Sequence, residues 1–173
     1  MNAPSPDEQR FLELVKENKP KILKVCRVYA WNPQDQDDLY QEVLFQIWRA
    51  LPALRDETFI HTWLYRVALN TAISFVRKHS ARSRRTVNLE DARLLEIPDR
   101  SQQRDAGDEQ VAKLYETIAQ LNDLEKALTT LYLEELSYEQ IAAVMGINAN
   151  HVGVMLHRIK KKLSALMNEA RHE

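Results

Sequence analysis

Apolar and polar positions alternate along this chain with the period of an amphipathic helix almost from end to end, which predicts an all-α protein. In the N-terminal half the pattern places helices over residues 7–18, 20–30, 35–51 and 62 to about 82. Pro20 fits the first turn of the second of these, where its missing N–H costs little. On the 35–51 helix Leu39, Tyr40, Val43, Leu44, Ile47 and Leu51 share one arc, its core face. Asp38, Gln41, Glu42 and Arg49 lie opposite, with Phe45 among them and Trp48 at the border. An aromatic ringed by polar groups suits a protein contact, unless another part of the chain covers it.

The helix that follows gathers Trp63, Arg66, Asn70, Thr71, Ser74, Arg77 and Lys78 on one side and apolar residues on the rest. Cations, an amide and an aromatic on one stripe can touch phosphates, bond base edges and stack an unpaired base. The bland alternative is a solvated face with Trp63 tucked inward. Residues 54–61 just before it form a polar loop with one aromatic, Phe59.

The last third carries two short helices around a tight turn. Ser137 with Gln140 makes a capping box, Gly146 stands where the chain leaves the first helix, and Asn148 can cap the second. Val152, Met155, Leu156, Ile159, Leu163 and Leu166 share the core side of that second helix, and Asn150, Gly153, Val154, His157, Lys160 and Lys161 lie opposite. The arrangement reads as a helix-turn-helix with an outward face sized for a major groove. A glycine inside that helix costs about 0.5–1 kcal/mol relative to alanine. Either Gly153 lets the helix sit unusually close to the groove, or the position is unimportant.

Composition narrows the picture. The 173 residues are 45% hydrophobic, with three glycines, suiting one domain or two small ones. The net charge of -1 hides two basic clusters, one of Arg77, Lys78, Arg82, Arg84 and Arg85, the other of Arg158, Lys160, Lys161 and Lys162. The absence of a leader-like segment or long apolar run leads us to expect a soluble cytoplasmic protein without membrane contact. The single Cys26 offers no disulfide or metal spacing and reads as a small buried residue rather than a redox sensor. No catalytic constellation, metal site or cofactor motif competes. Between residues 86 and 110 the periodicity fades and seven acids stand against three bases. This stretch reads as a flexible acidic linker joining two small helical domains, residues 1–85 and 111–173.

The runs 35–51 and 59–70, followed by the helix-turn-helix, resemble regions two and four of bacterial RNA polymerase sigma factors of the extracytoplasmic-function (ECF) group, in order and spacing over nearly the whole chain. The resemblance implies a non-enzymatic specificity subunit. Its partners would be core RNA polymerase, through the β′ clamp helices and the β flap, promoter DNA, and an anti-sigma factor. Asp38, Gln41, Glu42, Phe45 and Trp48 would dock on the clamp helices. Phe59, Trp63, Arg66 and Asn70 would open the -10 element and hold a flipped base, with Arg77 and Lys78 on the backbone. The second helix of the helix-turn-helix would read the -35 element through Asn150, His151, Gly153, Val154, His157, Arg158 and Lys161. Two departures stand out: Ser74, and the lack of the basic residues that many members carry at the positions of Gly153 and Met155. The alternative is a conventional helix-turn-helix regulator acting without replacing the sigma subunit.

Overall fold

A computed structural model describes residues 5–86 and 106–169, all of it helix and turn. Helix α1 (Pro6–Tyr29) starts at a capping box in which Ser5 and Glu8 satisfy each other's backbone N–H. It runs unbroken through Pro20, where the hydrophobic pattern had suggested two helices. Proline inside a helix costs about 3 kcal/mol or more. The offset is visible in the register: Leu14, Asn18, Ile22, Val25 and Tyr29 form one buried stripe spanning the proline, and a break there would turn half of it away from the core. Asn18, buried in that stripe, donates from Nδ2 to the Leu14 carbonyl at 2.9 Å and accepts from Lys21 Nζ at 3.1 Å.

Helix α2 (Pro33–Ala50) is capped by Asn32, whose side chain accepts from the Asp35 N–H at 2.7 Å. Leu39, Val43 and Ile47 close its core side. Two single 3-10 turns (Leu51–Ala53 and Glu57–Phe59) lead into α3 (Ile60–Thr86), which buries Leu64, Tyr65, Ala68, Leu69 and Ala72 against α1 and α2. The result is a three-helix bundle.

The C-terminal half comprises α4 (Ala106–Ala119), α5 (Asp123–Leu133), α6 (Tyr138–Met145) and α7 (Ala149–Glu169). Helix α4 begins inside the stretch read as linker; residues 87–105 of that stretch lie outside the described residues. Asn122 and Glu125 form a capping box for α5, and Ile118, Leu128, Leu131, Ile141, Val152 and Leu156 are fully or almost fully buried. Leaving α5, Glu135 adopts φ 60, and the Leu136 N–H reaches back to the Leu131 carbonyl at 3.3 Å.

Polar groups link the two halves, whose buried apolar residues belong to one cluster. Tyr29 donates to the Asp123 carbonyl at 2.8 Å, Tyr65 donates to Glu134 at 2.9 Å, and Lys24 pairs with the same Glu134. Arg27 lies over the Tyr115 ring at 4.1 Å.

A left-handed backbone at a non-glycine residue costs about 1–2 kcal/mol. Glu135→Gly is therefore expected to raise the urea midpoint by about 1 kcal/mol equivalent with an unchanged slope. A fall in the midpoint would show that the Glu135 side chain contributes more than its backbone strain costs.

Candidate nucleic-acid and polymerase interface

The outer face of α2 presents the residues singled out from its wheel. Asp38, Gln41, Phe45 and Trp48 are exposed, and Glu42, half-buried, accepts from Gln46 at 2.8 Å. Phe45 is 52% exposed, so no other part of the described chain covers it, and the Arg49 guanidinium lies 5.6 Å from its ring centre. Trp48 rests edge-on against Phe11 of α1, with ring centroids 5.3 Å apart. Phe11 was missed in the sequence reading. The sequence signal for it was an apolar pair near the chain start, Phe11 with the exposed Leu12.

Between α2 and α3 runs a groove of about 640 Å³ lined by Glu42, Gln46, Asn70, Ser74, Lys78 and His79, among others. Asn70 and Lys78 thus open onto the same hollow as Glu42, with Phe75 stacked on His79 at 4.1 Å along one wall. Phe59 sits 64% exposed on the second 3-10 turn. Thr58 hydrogen bonds to Asp56 cap that turn and hold the Asp56 carboxyl below its usual range. Trp63 is half-buried, packed on the core. Thr71 lines the same groove with little exposure and donates to the Val67 carbonyl at 2.7 Å. Its hydroxyl is satisfied inside its own helix, so its burial at the groove floor costs little.

Two cations of this stripe are engaged by the C-terminal half. Arg66 donates from Nε to the Val144 carbonyl at 3.2 Å and from a terminal nitrogen to the Ala143 carbonyl. These carbonyls belong to the last turn of α6, where helical partners run out and the dipole is negative. Arg77 lies 3.7 Å from Asp123. Of the first basic cluster, the side chains of Arg82, Arg84 and Arg85 lie outside the described residues.

The helix-turn-helix has the caps expected of it. Ser137 accepts from the Gln140 N–H at 3.2 Å and Gln140 accepts from the Ser137 N–H at 2.8 Å. Gly146 takes φ +70, and Asn148 accepts from the His151 N–H at 2.8 Å. Val152, Leu156 and Ile159 are buried, while Asn150, His151, Val154, His157, Arg158 and Lys161 are exposed on the other side. Lys160 is drawn aside: its ammonium stands 4.2 Å over the Tyr132 ring and donates to the Tyr132 hydroxyl at 2.9 Å. Lys162 pairs with Glu125 at 2.7 Å. Neither account of Gly153 drawn from the sequence included what lies against it, the ring of Tyr138 from α6.

Cys26 is buried, and burial pushes its thiol up to about 12. The reactive thiolate is thereby disfavoured, which fits the structural role and not the redox one. No helix among the described residues is long and apolar enough to cross a membrane.

Comparison with known proteins agrees with this geometry. Sigma-70 region 2 matches residues 14–82 and sigma-70 region 4 matches residues 112–163. The chain is 36% identical to the RNA polymerase sigma-H factor of Pseudomonas aeruginosa, over 95% of this chain and 91% of that one. It is 30% identical to the ECF RNA polymerase sigma-E factor of Haemophilus influenzae, over 93% and 91% of the two chains. Among solved structures, the sigma factor RpoE of Bartonella quintana, in complex with the anti-sigma factor NepR, matches with TM-score 0.69 at 18% identity, covering 92% of this chain and 98% of that one. CnrH, in complex with the cytosolic domain of CnrY, matches with TM-score 0.67 at 22% identity, covering 93% and 90%. Regions 2 and 4 in this order define a transcription initiation factor. The chain belongs to the ECF RNA polymerase sigma factors: it is an alternative sigma factor that directs promoter-specific transcription. The conventional regulator reading is not favoured, since the N-terminal half is a sigma region 2.

Glu134, its side chain only 7% exposed, is where three residues of the two halves meet. Glu134→Ala leaves the buried Tyr65 hydroxyl without its acceptor and is expected to cost about 1–3 kcal/mol in urea unfolding. It is also expected to enlarge the radius of gyration in small-angle scattering. An unchanged midpoint and radius would mean that this contact does not hold the halves together.

Proposed function

We propose that the exposed face of α2, with Asp38, Gln41, Glu42, Phe45 and Trp48, docks on the clamp helices of the polymerase β′ subunit. The observation that carries this is the large exposure of Phe45 on an otherwise polar face, next to the Trp48–Phe11 pair. Aromatic anchors inside a polar rim are the usual centre of a protein interface. The second half of the proposal concerns DNA. Phe59, Trp63, Arg66 and Asn70 hold the unpaired -10 strand, Arg77 and Lys78 meet its backbone, and α7 reads the -35 element through Asn150, His151, Gly153, Val154, His157, Arg158 and Lys161. Residues 1–85 and 111–173 act as the two working domains and 86–110 as their connection. The protein is not an enzyme: it acts in the cytoplasm by binding, and the stacking of exposed bases, roughly 1–3 kcal/mol each, drives opening.

Arg66 donates to the Val144 and Ala143 carbonyls, and these donors would have to be released for it to meet DNA, so the halves part when holoenzyme engages a promoter. The reverse state suits an anti-sigma factor: the two solved relatives that match this arrangement are in complex with NepR and with the cytosolic domain of CnrY. A protein of that type is proposed to hold this chain closed.

Two experiments test the assignments. Phe45→Ala combined with Trp48→Ala is expected to weaken binding to core polymerase by about 30-fold or more without altering helicity. Co-purification equal to that of the parent would assign docking to another face. Asn70→Ala and Trp63→Ala are expected to reduce permanganate reactivity of thymines near the start site more than they reduce closed-complex formation. Equal losses in both complexes would reject a role in melting.

A further inference from the structure

The contact of Gly153 with Tyr138 deepens the reading of α7 as the -35 reader and rests on it. Gly153 lies on the outward side of α7, between Asn150 and His157 on the helical wheel. A Cβ built there would meet Tyr138 Cε2 at 3.3 Å and Cδ2 at 3.6 Å, so the tyrosine ring lies where a side chain from position 153 would emerge. Tyr138 is the first residue of α6, directly after the Ser137 cap, and the reciprocal bonds of Ser137 with Gln140 fix the backbone from which the ring projects. The ring is 40% exposed, and no hydrogen bond among the described residues engages its hydroxyl.

An exposed ring with a free hydroxyl, laid across a helix where the backbone is bare, is a composite surface: α6 supplies at this register what α7 does not. We propose that Tyr138 is a specificity-determining residue for the -35 element, its ring edge standing in the major groove against a thymine methyl and its hydroxyl on a neighbouring phosphate. The chemistry fits each part. An apolar edge distinguishes thymine by its C5 methyl, and a hydroxyl on a phosphate adds affinity without sequence information. Gly153 is then a positioning residue, required small so that the ring can lie down.

The test uses holoenzyme assembled from the full chain and core polymerase, with a duplex library randomised upstream of the start site, from which open complexes are selected. The parent is expected to return a defined -35 motif. Tyr138→Ala and Gly153→Arg are expected to flatten the same one or two adjacent positions of it, with about a ten-fold loss of preference there. Their combination is expected to be no worse than the worse single variant, because both remove one feature. Tyr138→Phe keeps the ring, so the preference stays while affinity falls by a similar factor for all sequences, with the salt dependence unchanged because a neutral hydroxyl releases no counterion. Preference is a ratio between sequences, so a partly inactive preparation does not change it. Tyr138→Ala returning the parental motif, or Tyr138→Phe losing it, would overturn the proposal and leave the sigma reading standing. A parent that returns no upstream motif would instead defeat the assignment of α7 to the -35 element, and this inference with it.

Discussion

Two consecutive residues of α3 hold the ends of two different helices in the other half of the molecule. Tyr65 donates to Glu134, the residue that closes α5, and Arg66 donates to the carbonyls of Ala143 and Val144 in the last turn of α6. Helix C-termini carry carbonyls with no helical partner and the negative end of the dipole, so a guanidinium placed there answers both. The placement of the helix-turn-helix against the bundle follows from this pair. Lys24 adds a second cation on Glu134, and Tyr29 bonds the first turn of α5 through the Asp123 carbonyl.

The same contact makes the arrangement reversible. Hydrogen bonds and ion pairs cross between the halves alongside apolar packing, and polar contacts between domains exchange readily for water or for other partners. The guanidinium of Arg66 is suited to peptide carbonyls and to phosphates alike, since it is a planar array of donors with permanent charge. A residue proposed for promoter DNA is therefore in use within the protein itself. On the proposed reading, closure and DNA engagement would compete for this one side chain. The face with Phe45 and Trp48 takes no part in this contact, and it remains exposed in the closed arrangement.

What was legible in the sequence was local. The capping boxes, the left-handed Gly146 and the Asn148 cap follow from residue types at fixed short spacing, and the helix-turn-helix could be drawn from them with its core and outward sides in place. The aromatic face of α2 was legible for the same reason, because a helical wheel needs only spacing. Pro20 misled because a local signal met a longer one: the stripe from Leu14 to Tyr29 keeps its register through the proline, and tertiary burial outweighs the lost bond. Phe11 against Trp48, Arg66 on α6 and Tyr138 over Gly153 join residues far apart or on separate helices, and no periodicity within one helix encodes them.

The central claim is that one chain serves as a promoter-directing subunit by parting two halves that its own Arg66 holds together. It is tested most directly by energy transfer between dyes on cysteines introduced at the exposed positions Glu17 and Ser164, one on each half. Cys26 stays unlabelled because its thiol is buried and protonated. The account predicts high transfer in the free protein, a fall when core polymerase and promoter DNA are added, and reduced transfer without them in Arg66→Ala. High transfer that persists in a transcribing holoenzyme would contradict it.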